Sequence, residues 1–453
     1  MNTPDDNAQP PSDPAAHDAY AAMRVANYRR YWFGNLLSIL GMQMQSVTVV
    51  WEVYRRTQDP FSIGLVGLTL VIPVLSLAIL GGHVADRYDR RRVLTCSVSL
   101  NMIASLGLAA ASFYAWHIAW IYGFLLLIGT ARAFQQPAKS ALLPQLVPRH
   151  VFANAVTWNL GGFQLSAAAG PALGGASLAI FGYEYVAYAF QAFACFVFVL
   201  LLTRIEIRPS AFTPEAITLR GVAEGFQFVW RNKVVLGAMA LDMFAVLLSE
   251  AKSLLPIFAQ DILHVGPVGY GVLASAESIG GLSMTLAMMH RPPMAKAGRA
   301  LLWSVAGFGV ATATFGLSRW FPLSFVALLA MGAFDCVSVI IRHTLVQMLT
   351  PDRMRGRVSA ISGMFISASN ELGQFESGTL ARLTSAVFAV VFGGVATLGV
   401  VLGAALGIPE LRKYGRLDQR HDEEEPWPGG EKPAVIESTN GTPVDAAPAE
   451  KVE

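Results

Sequence analysis

The stretch Gly82-His83-Val84-Ala85-Asp86-Arg87-Tyr88-Asp89-Arg90-Arg91-Arg92-Val93-Leu94 decides how this chain is read. It packs four arginines and two aspartates into one short turn. About twenty apolar residues stand on either side, each run long enough to cross a bilayer. So dense a cationic turn resists translocation and belongs on the cytoplasmic side of two membrane helices. Gly82 permits close helix approach. The aspartates can accept hydrogen bonds from arginines or from a helix N-terminus. The turn is therefore both a topology signal and a latch.

Composition extends this reading to the whole chain. Of 453 residues, 54% are hydrophobic and 14% charged, and the mean hydropathy is +0.47. Soluble domains carry about 25% charged residues. The net charge of +2 is less informative than where the charges fall. Cys96, Cys195 and Cys336 lie in apolar segments without CxxC spacing, which points to neither a disulfide framework nor a metal site.

Twelve apolar spans are predicted, near 30–52, 62–85, 93–115, 117–137, 152–177, 184–203, 235–259, 268–290, 300–318, 321–343, 357–381 and 384–407. With the N-terminus inside, the inner connections and flanks hold most of the Lys and Arg, Lys139 and Arg149 among them. The outer connections hold Arg55, Arg56, Arg319 and Arg382. That bias places both termini in the cytoplasm. The expected fold class is an all-α membrane protein. Its parts are a disordered N-terminal tail (1–24), a six-helix bundle (25–203), a cytoplasmic linker (204–234), a second bundle (235–410) and a disordered tail (411–453). No cleavable signal peptide is visible. In the linker, Leu219, Val222, Ala223, Phe226, Val229 and Trp230 recur at helical spacing. They predict an amphipathic helix, lying on the membrane surface or packed on protein.

The two sixes are related. At a constant offset of 203, Gly129 meets Gly332, Pro148 meets Pro351, Ser166 meets Ser369, Gly170 meets Gly373 and Gly175 meets Gly378. Parallel repeats of this kind build transporters whose site lies between the halves at mid-membrane.

Charges inside the spans need a reason, because each costs roughly 2.5–3.5 kcal/mol at the bilayer centre on insertion scales. Counting residues from the span ends places Glu250, Glu277, Asp335 and Glu371 nearest the middle. Glu52, Glu184 and Arg342 are read as interfacial. Where the first half has Ala168 and Leu173, the second has Glu371 and Glu376. Carboxylates added to a matching helix point to protonation chemistry, since burial favours the neutral acid. Arg132 and Asp335 occupy nearby repeat positions, which suggests a bridge between the halves. On span five, Gly162, Ser166, Gly170 and Gly174 recur every four residues around Pro171, a smooth face expected to close the outer half.

The chain carries no P-loop, GxSxG or HExxH, so neither direct ATP drive nor enzyme chemistry is expected. The basic turn sits between membrane spans and is not read as a nucleic-acid patch. No cofactor is expected.

These residues resemble the major facilitator superfamily. Its loop between spans two and three reads G-x-L-a-D-r-x-G-r-r-x-x-L, matched by Gly82, Asp86, Arg87, Arg90, Arg91 and Leu94. Val84 replaces the Leu and Asp89 the second Gly. The Asp89 change, the run Gly129 to Pro148 and the run Pro351 to Val358 resemble the enterobactin-exporter-like, or transmembrane secretion effector, branch. Gly170-Pro171-Ala172-Leu173-Gly174-Gly175 is similar to the antiporter signature of span five.

The resemblance implies twelve transmembrane helices arranged as two pseudo-symmetric six-helix bundles. It implies proton antiport by alternating access, with a cytoplasmic closure latched by Asp86 and its arginines. Several drug/proton antiporters carry an acid deep in span one. This chain has Gln43 and Gln45 there, with Glu52 only near the outer end. Coupling then falls to the candidates Glu250, Glu371, Asp335, Glu277 and Arg132, with Glu250 and Glu371 first. The expected function is export of a small organic molecule, a siderophore or drug-like compound, across the bacterial inner membrane by a monomer. An importer or facilitator on the same fold is one alternative, and a non-transporting sensor or scaffold is another.

Overall fold

The computed structural model describes residues 18–206, 219–289, 296–351 and 354–415. At a few positions within helices, Asp86 among them, only the backbone is described. Twelve long segments account for nearly all of it. They are α1 (Ala26–Thr57), α2 (Pro60–Arg87), α3 (Arg90–Phe113), α4 (Ile118–Leu146), α5 (Phe152–Phe181) and α6 (Tyr185–Thr203). The second six are α7 (Lys233–Leu248), α8 (Gly266–Met289), α9 (Ala297–Leu317), α10 (Phe321–Leu349), α11 (Arg355–Leu383) and α12 (Ala386–Gly407). Each expected span is recovered. Most helices run past the expected ends, because a helix does not stop at the bilayer edge if its caps lie beyond it.

The caps are readable in the residues. Asp59 accepts from the Phe61 N–H at 3.1 Å, with Pro60 at the first position of α2. Asp89, in the arginine turn, accepts from the Arg91 N–H at 2.9 Å and so starts α3. Asn232 and Ser385 do the same for α7 and α12. Gly182 closes α5 with φ +73°, a conformation that favours glycine.

Among the described residues, eleven of the segments are long and apolar enough to cross a membrane, and α11 is not one of them. Its Asn370, Glu371, Gln374 and Glu376 lower its hydropathy. It is shielded by α2, α7 and α12, which pack along it. The segment beginning with α7 is broken. After Leu248 the chain leaves the helix at Glu250 (φ −72°, ψ 73°), then forms a 3-10 turn (Ala251–Leu254), one α turn (Leu255–Ile257) and a π turn (Phe258–Ile262). Pro256 has no N–H for the Lys252 carbonyl, which bonds to the Leu255 N–H instead. Ser249 covers the break by donating from Oγ to the Gly393 carbonyl at 2.8 Å.

The two halves pack alike. In the first, α1 lies on α5 and α6, α2 on α4, and α3 on α4 and α6. In the second, α7 lies on α11 and α12, α8 on α10, and α9 on α10 and α12. The halves meet where α2 packs on α11 and α5 on α8. Among the described residues no strand is present.

Among the described residues, three shorter α-helices and a 3-10 turn (Arg149–Val151) complete the fold. Ala21–Arg24 lies within the stretch expected as tail and is held to the start of α5, where the Ala22 N–H donates to Asn154 Oδ1 at 3.0 Å. The linker helix, Leu219–Arg231, buries Val229 against Val235, Met239 and Val358 while Phe226 and Trp230 stay exposed. Pro409–Lys413 tucks Leu411 against α9. Residues 1–17, 207–218 and 416–453 lie outside the described residues.

Candidate functional site

The hydrophobic core divides the molecule by depth. Towards the short connections between α1 and α2, α5 and α6, or α7 and α8 (the loop face), one cluster runs through both halves. It joins Trp51, Tyr54, Ile63 and Leu70 to Leu254, Phe258, Tyr270 and Leu273. Towards the termini the clusters separate. One belongs to the first half, with Tyr28, Leu94, Leu142 and Phe198. The others belong to the second half, with Leu241, Leu301 and Leu345, and with Val235, Val346 and Val358. Among the described residues, the halves share one core at the loop face and have separate cores at the termini face.

Glycines explain how the seal forms. A Cβ on Gly175 would meet Pro267 and Gly271 of α8, and one on Gly378 would meet Pro60 and Gly64 of α2. These are repeat-related positions making repeat-related crossings. Gly82, at the termini end of α2, has no atom within 4 Å of its Cβ position. The four-residue ladder on α5 does not form the seal, contrary to the sequence reading. Gly162 faces Trp32 and Leu36, Ser166 donates to the Leu36 carbonyl (3.4 Å), and Gly170 and Gly174 face Gln43 and Met44. All of these lie on α1, inside the first half. Gly175 sits about 100° around the helix from Gly174 and looks the other way. Pro171 joins it, with its carbonyl oxygen against Gly271.

Polar and aromatic contacts cross the same face. The Tyr270 ring stacks on Trp51 at 5.0 Å and its hydroxyl donates to the Val47 carbonyl at 2.9 Å. The Tyr54 hydroxyl donates to Asp261. On the α2–α11 side, Gln374 Nε2 donates to the Ile63 carbonyl at 3.1 Å, and Arg382 pairs with Asp59 at 3.2 Å beside the Phe61 ring. The sequence reading missed these residues. Trp51 and Tyr54, one turn apart near a span end, were the available signal.

Beneath the seal lie the intramembrane charges. Arg132 Nη1 of α4 reaches Glu371 Oε1 of α11 at 3.3 Å, across the halves. Lys252 Nζ pairs with Glu277 Oε2 at 2.9 Å within the second half. Glu250 stands at the break after α7, its Cβ against Gly373, within electrostatic reach of Lys252, Glu277, Glu371 and Asp335. The five candidates therefore fall into two linked groups. The suggested Arg132–Asp335 bridge is not formed. α11, not α10, is the helix that packs across on α2, so Glu371 is the carboxylate presented to α4. Asp335 faces Lys252 and Glu277 instead.

Three residues read as interfacial are buried. Glu52 is fully enclosed, accepts from the Tyr188 hydroxyl at 2.6 Å and pairs with Arg56. Glu184 pairs with Arg55 at 2.7 Å. Arg342, 3% exposed, pairs with Asp242 of α7. Neighbouring helices extend as far as these span ends and cover them. Lys139, counted with an inner connection, lies within α4, which continues to Leu146.

In the arginine turn, the side chain of Asp86 lies outside the described residues. Arg87 is exposed and Arg90 half-buried. Arg91 donates to the Thr203 and Ile205 carbonyls, both at 2.7 Å, and so caps the C-terminal end of α6. The side chains of Arg355 and Arg357 also lie outside the described residues.

Two similarly packed six-helix halves, sealed at one face over a charged middle, define a multi-pass membrane transporter of the major-facilitator class. The backbone is similar to a bacterial homologue of the human lysosomal transporter Spinster in an inward-facing, occupied conformation (TM-score 0.68, 13% identity, 86% of this chain and 97% of that one). It is also similar to a bacterial homologue of the iron transporter ferroportin in an inward-facing state (TM-score 0.63, 14% identity, 84% and 98%). The chain belongs to the transmembrane secretion effector family, whose model matches residues 17–442. Among curated relatives it is similar to the enterobactin exporter EntS of Citrobacter koseri (25% identity over 397 residues, 85% of this chain and 93% of that protein). The EntS of Shigella boydii is 24% identical over 395 residues. The chain is a transporter of a small molecule, not an enzyme.

Proposed function

We propose that this protein exports a small organic molecule across the bacterial inner membrane by alternating access coupled to proton antiport, with both termini in the cytoplasm. The observation that carries the reading is the Arg132–Glu371 pair, 3.3 Å apart across the two halves. A bridge between halves that contains a titratable carboxyl makes their relative position depend on a proton. Ionised Glu371 holds α11 to α4 through Arg132; protonation weakens that attraction and favours separation. Glu250, at the break, is the second carboxyl within electrostatic reach of Glu371. The relatives named as enterobactin exporters favour outward movement of a siderophore-like cargo. The bias of Lys and Arg towards the termini face favours cytoplasmic termini, which makes the described state open to the cytoplasm. The halves 25–203 and 235–410 would then rock as bodies about the middle, with the arginine turn latching the open face when it closes.

The test is cargo uptake into everted vesicles under an imposed proton gradient. The gradient is expected to drive uptake by the native protein, and Glu371→Gln to abolish the dependence while leaving downhill exchange. Flux that ignores the gradient in both proteins would remove the antiport claim.

A further inference from the structure

We propose that Lys139 receives an anionic group of the cargo, so that the transported molecules are organic anions or carry an anionic substituent. The proposal deepens the export reading and rests on it.

Lys139 follows Arg132 by seven residues on α4. Two helical turns bring it back to nearly the same face, about 10 Å nearer the termini. The direction of that face is fixed by Arg132, which meets Glu371 of the opposite half. Gln136, between them on the same face, is exposed. Lys139 is therefore on the Arg132 side of α4 and half-buried, its ammonium near α6, at the depth where the cores of the two halves are separate. A solute entering from the termini face passes it before reaching Arg132.

What sets Lys139 apart is its company. Arg132, Lys252 and Arg342 each meet a carboxylate: Glu371, Glu277 and Asp242. Among the described residues no ion pair holds Lys139. Its ammonium stands 5.9 Å from the Phe198 ring, with the Cys195 thiol as its electrostatic neighbour. A ring contact returns little to a half-buried cation, so the ammonium keeps its capacity to take a counter-charge from the gap. The opposite wall repels one. Of the second half's carboxylates, Glu277 is paired with Lys252 and Glu371 with Arg132, while Glu250 and Asp335 have no ion pair among the described residues. An anion in the gap is thus pushed from the second half and drawn to the first. A lysine, as a compact point charge with three donors, accepts many anion shapes. A carboxylate, phenolate or sulfonate would all satisfy it.

The experiment uses the full chain in nanodiscs of neutral lipid and two ligand pairs of equal shape: salicylate against salicylamide, and naphthoate against naphthamide. Binding is measured by calorimetry. The native protein is expected to bind each anion at least about tenfold more tightly than its amide, the yield of one charge-assisted hydrogen bond. Lys139→Met should erase the ratio and Lys139→Arg should keep most of it. Absence of discrimination by the native protein, including failure to bind either member, overturns the proposal. So does discrimination that survives Lys139→Met. If Lys139 served only as a topological charge, Lys139→Met would lower yield and leave the ratio intact. If Lys139→Met does not fold, the native ratios and Lys139→Arg decide. The export reading fails separately: proton-independent flux with intact discrimination refutes antiport and leaves this site standing.

Discussion

The two crossings between the halves share a backbone design and differ in chemistry. α5 meets α8 through Gly175, Pro171 and Gly271, and the contacts beside them are the Trp51–Tyr270 stack and two tyrosine hydrogen bonds, Tyr270 to the Val47 carbonyl and Tyr54 to Asp261. α2 meets α11 through Gly64 and Gly378, but there the neighbouring contacts are polar: Gln374 to the Ile63 carbonyl, Arg382 to Asp59 and Glu371 to Arg132. The repeat supplies each crossing with the same close approach. Among the described residues, only one was given ion pairs between the halves. A pseudo-symmetric machine can thus keep one crossing as a passive contact and make its twin responsive to protons and cargo.

Exchanging the charges should break this contrast most severely. Arg132→Glu places two carboxylates together at bilayer depth, and Glu371→Arg two cations. Each single variant should lose proton-driven transport, with a fall of at least about tenfold, since a charge-assisted bond between half-buried partners is worth about 1.5–3 kcal/mol. The double variant restores an attractive pair in reversed order and should recover loop-face closure more fully than transport. Spin labels at Gln58 and Thr384, both exposed on the loop face, report that closure. Equal damage in the single and double variants would show that the charges do not act on one another.

The glycines should give the next largest effect, similar at both crossings. Gly271→Leu and Gly64→Leu each drive a side chain into the facing backbone, at Gly175 and Pro171 in one case and at Phe375 in the other. Overpacking costs about 1–3 kcal/mol, enough to shift the population towards loop-face opening by roughly tenfold. Labels at Tyr183 and His264 follow the α5–α8 crossing, and labels at Gln58 and Thr384 follow the other. If one substitution opened only its own crossing, the halves would not move as bodies. Within the α5–α8 crossing, Trp51→Ala removes the ring beneath Tyr270 and should weaken closure by about 1 kcal/mol beyond lost area. That change should be the same between about pH 5 and 8, because neither ring of the stack is expected to change charge in that range.

How much of this was legible beforehand follows from which physics each feature obeys. Span number and the repeat depend on local apolarity and fixed spacing, so Gly129, Gly170 and Gly175 announced their partners at an offset of 203. α11 was legible as a repeat of α5 even though its own hydropathy falls short. Pairings were not legible. Arg132 and Asp335 matched in repeat position, but pairing depends on which helix crosses, and α11 brought Glu371 instead. The irregular turns after Glu250 had one visible cause in Pro256, which leaves the Lys252 carbonyl without its α-helical partner and which span counting ignores. Glu52, Glu184 and Arg342 were misplaced because sequence distance from a span end says nothing about how far neighbouring helices extend.

The smallest expected effect lies at the rim of the polar crossing and sharpens the contrast from the other side. Arg382 and Asp59 pair at 3.2 Å with side chains 55% and 31% exposed. Exposed pairs return about 0.2–1 kcal/mol and are screened by salt. The guanidinium also lies 5.3 Å from the Phe61 ring centre, a contact worth a similar amount. Arg382→Gln should therefore change loop-face closure by a few-fold, and by no more than about thirtyfold if both contacts return their full amount, read with the Gln58 and Thr384 labels, and the change should shrink as ionic strength rises. Transport should keep its proton dependence, because Glu371 and Arg132 are untouched. A larger loss, or one indifferent to salt, would mean that closure depends on the rim charges and not on the glycine contacts and the shared core, and the division between a passive and a responsive crossing would have to be redrawn around Arg382.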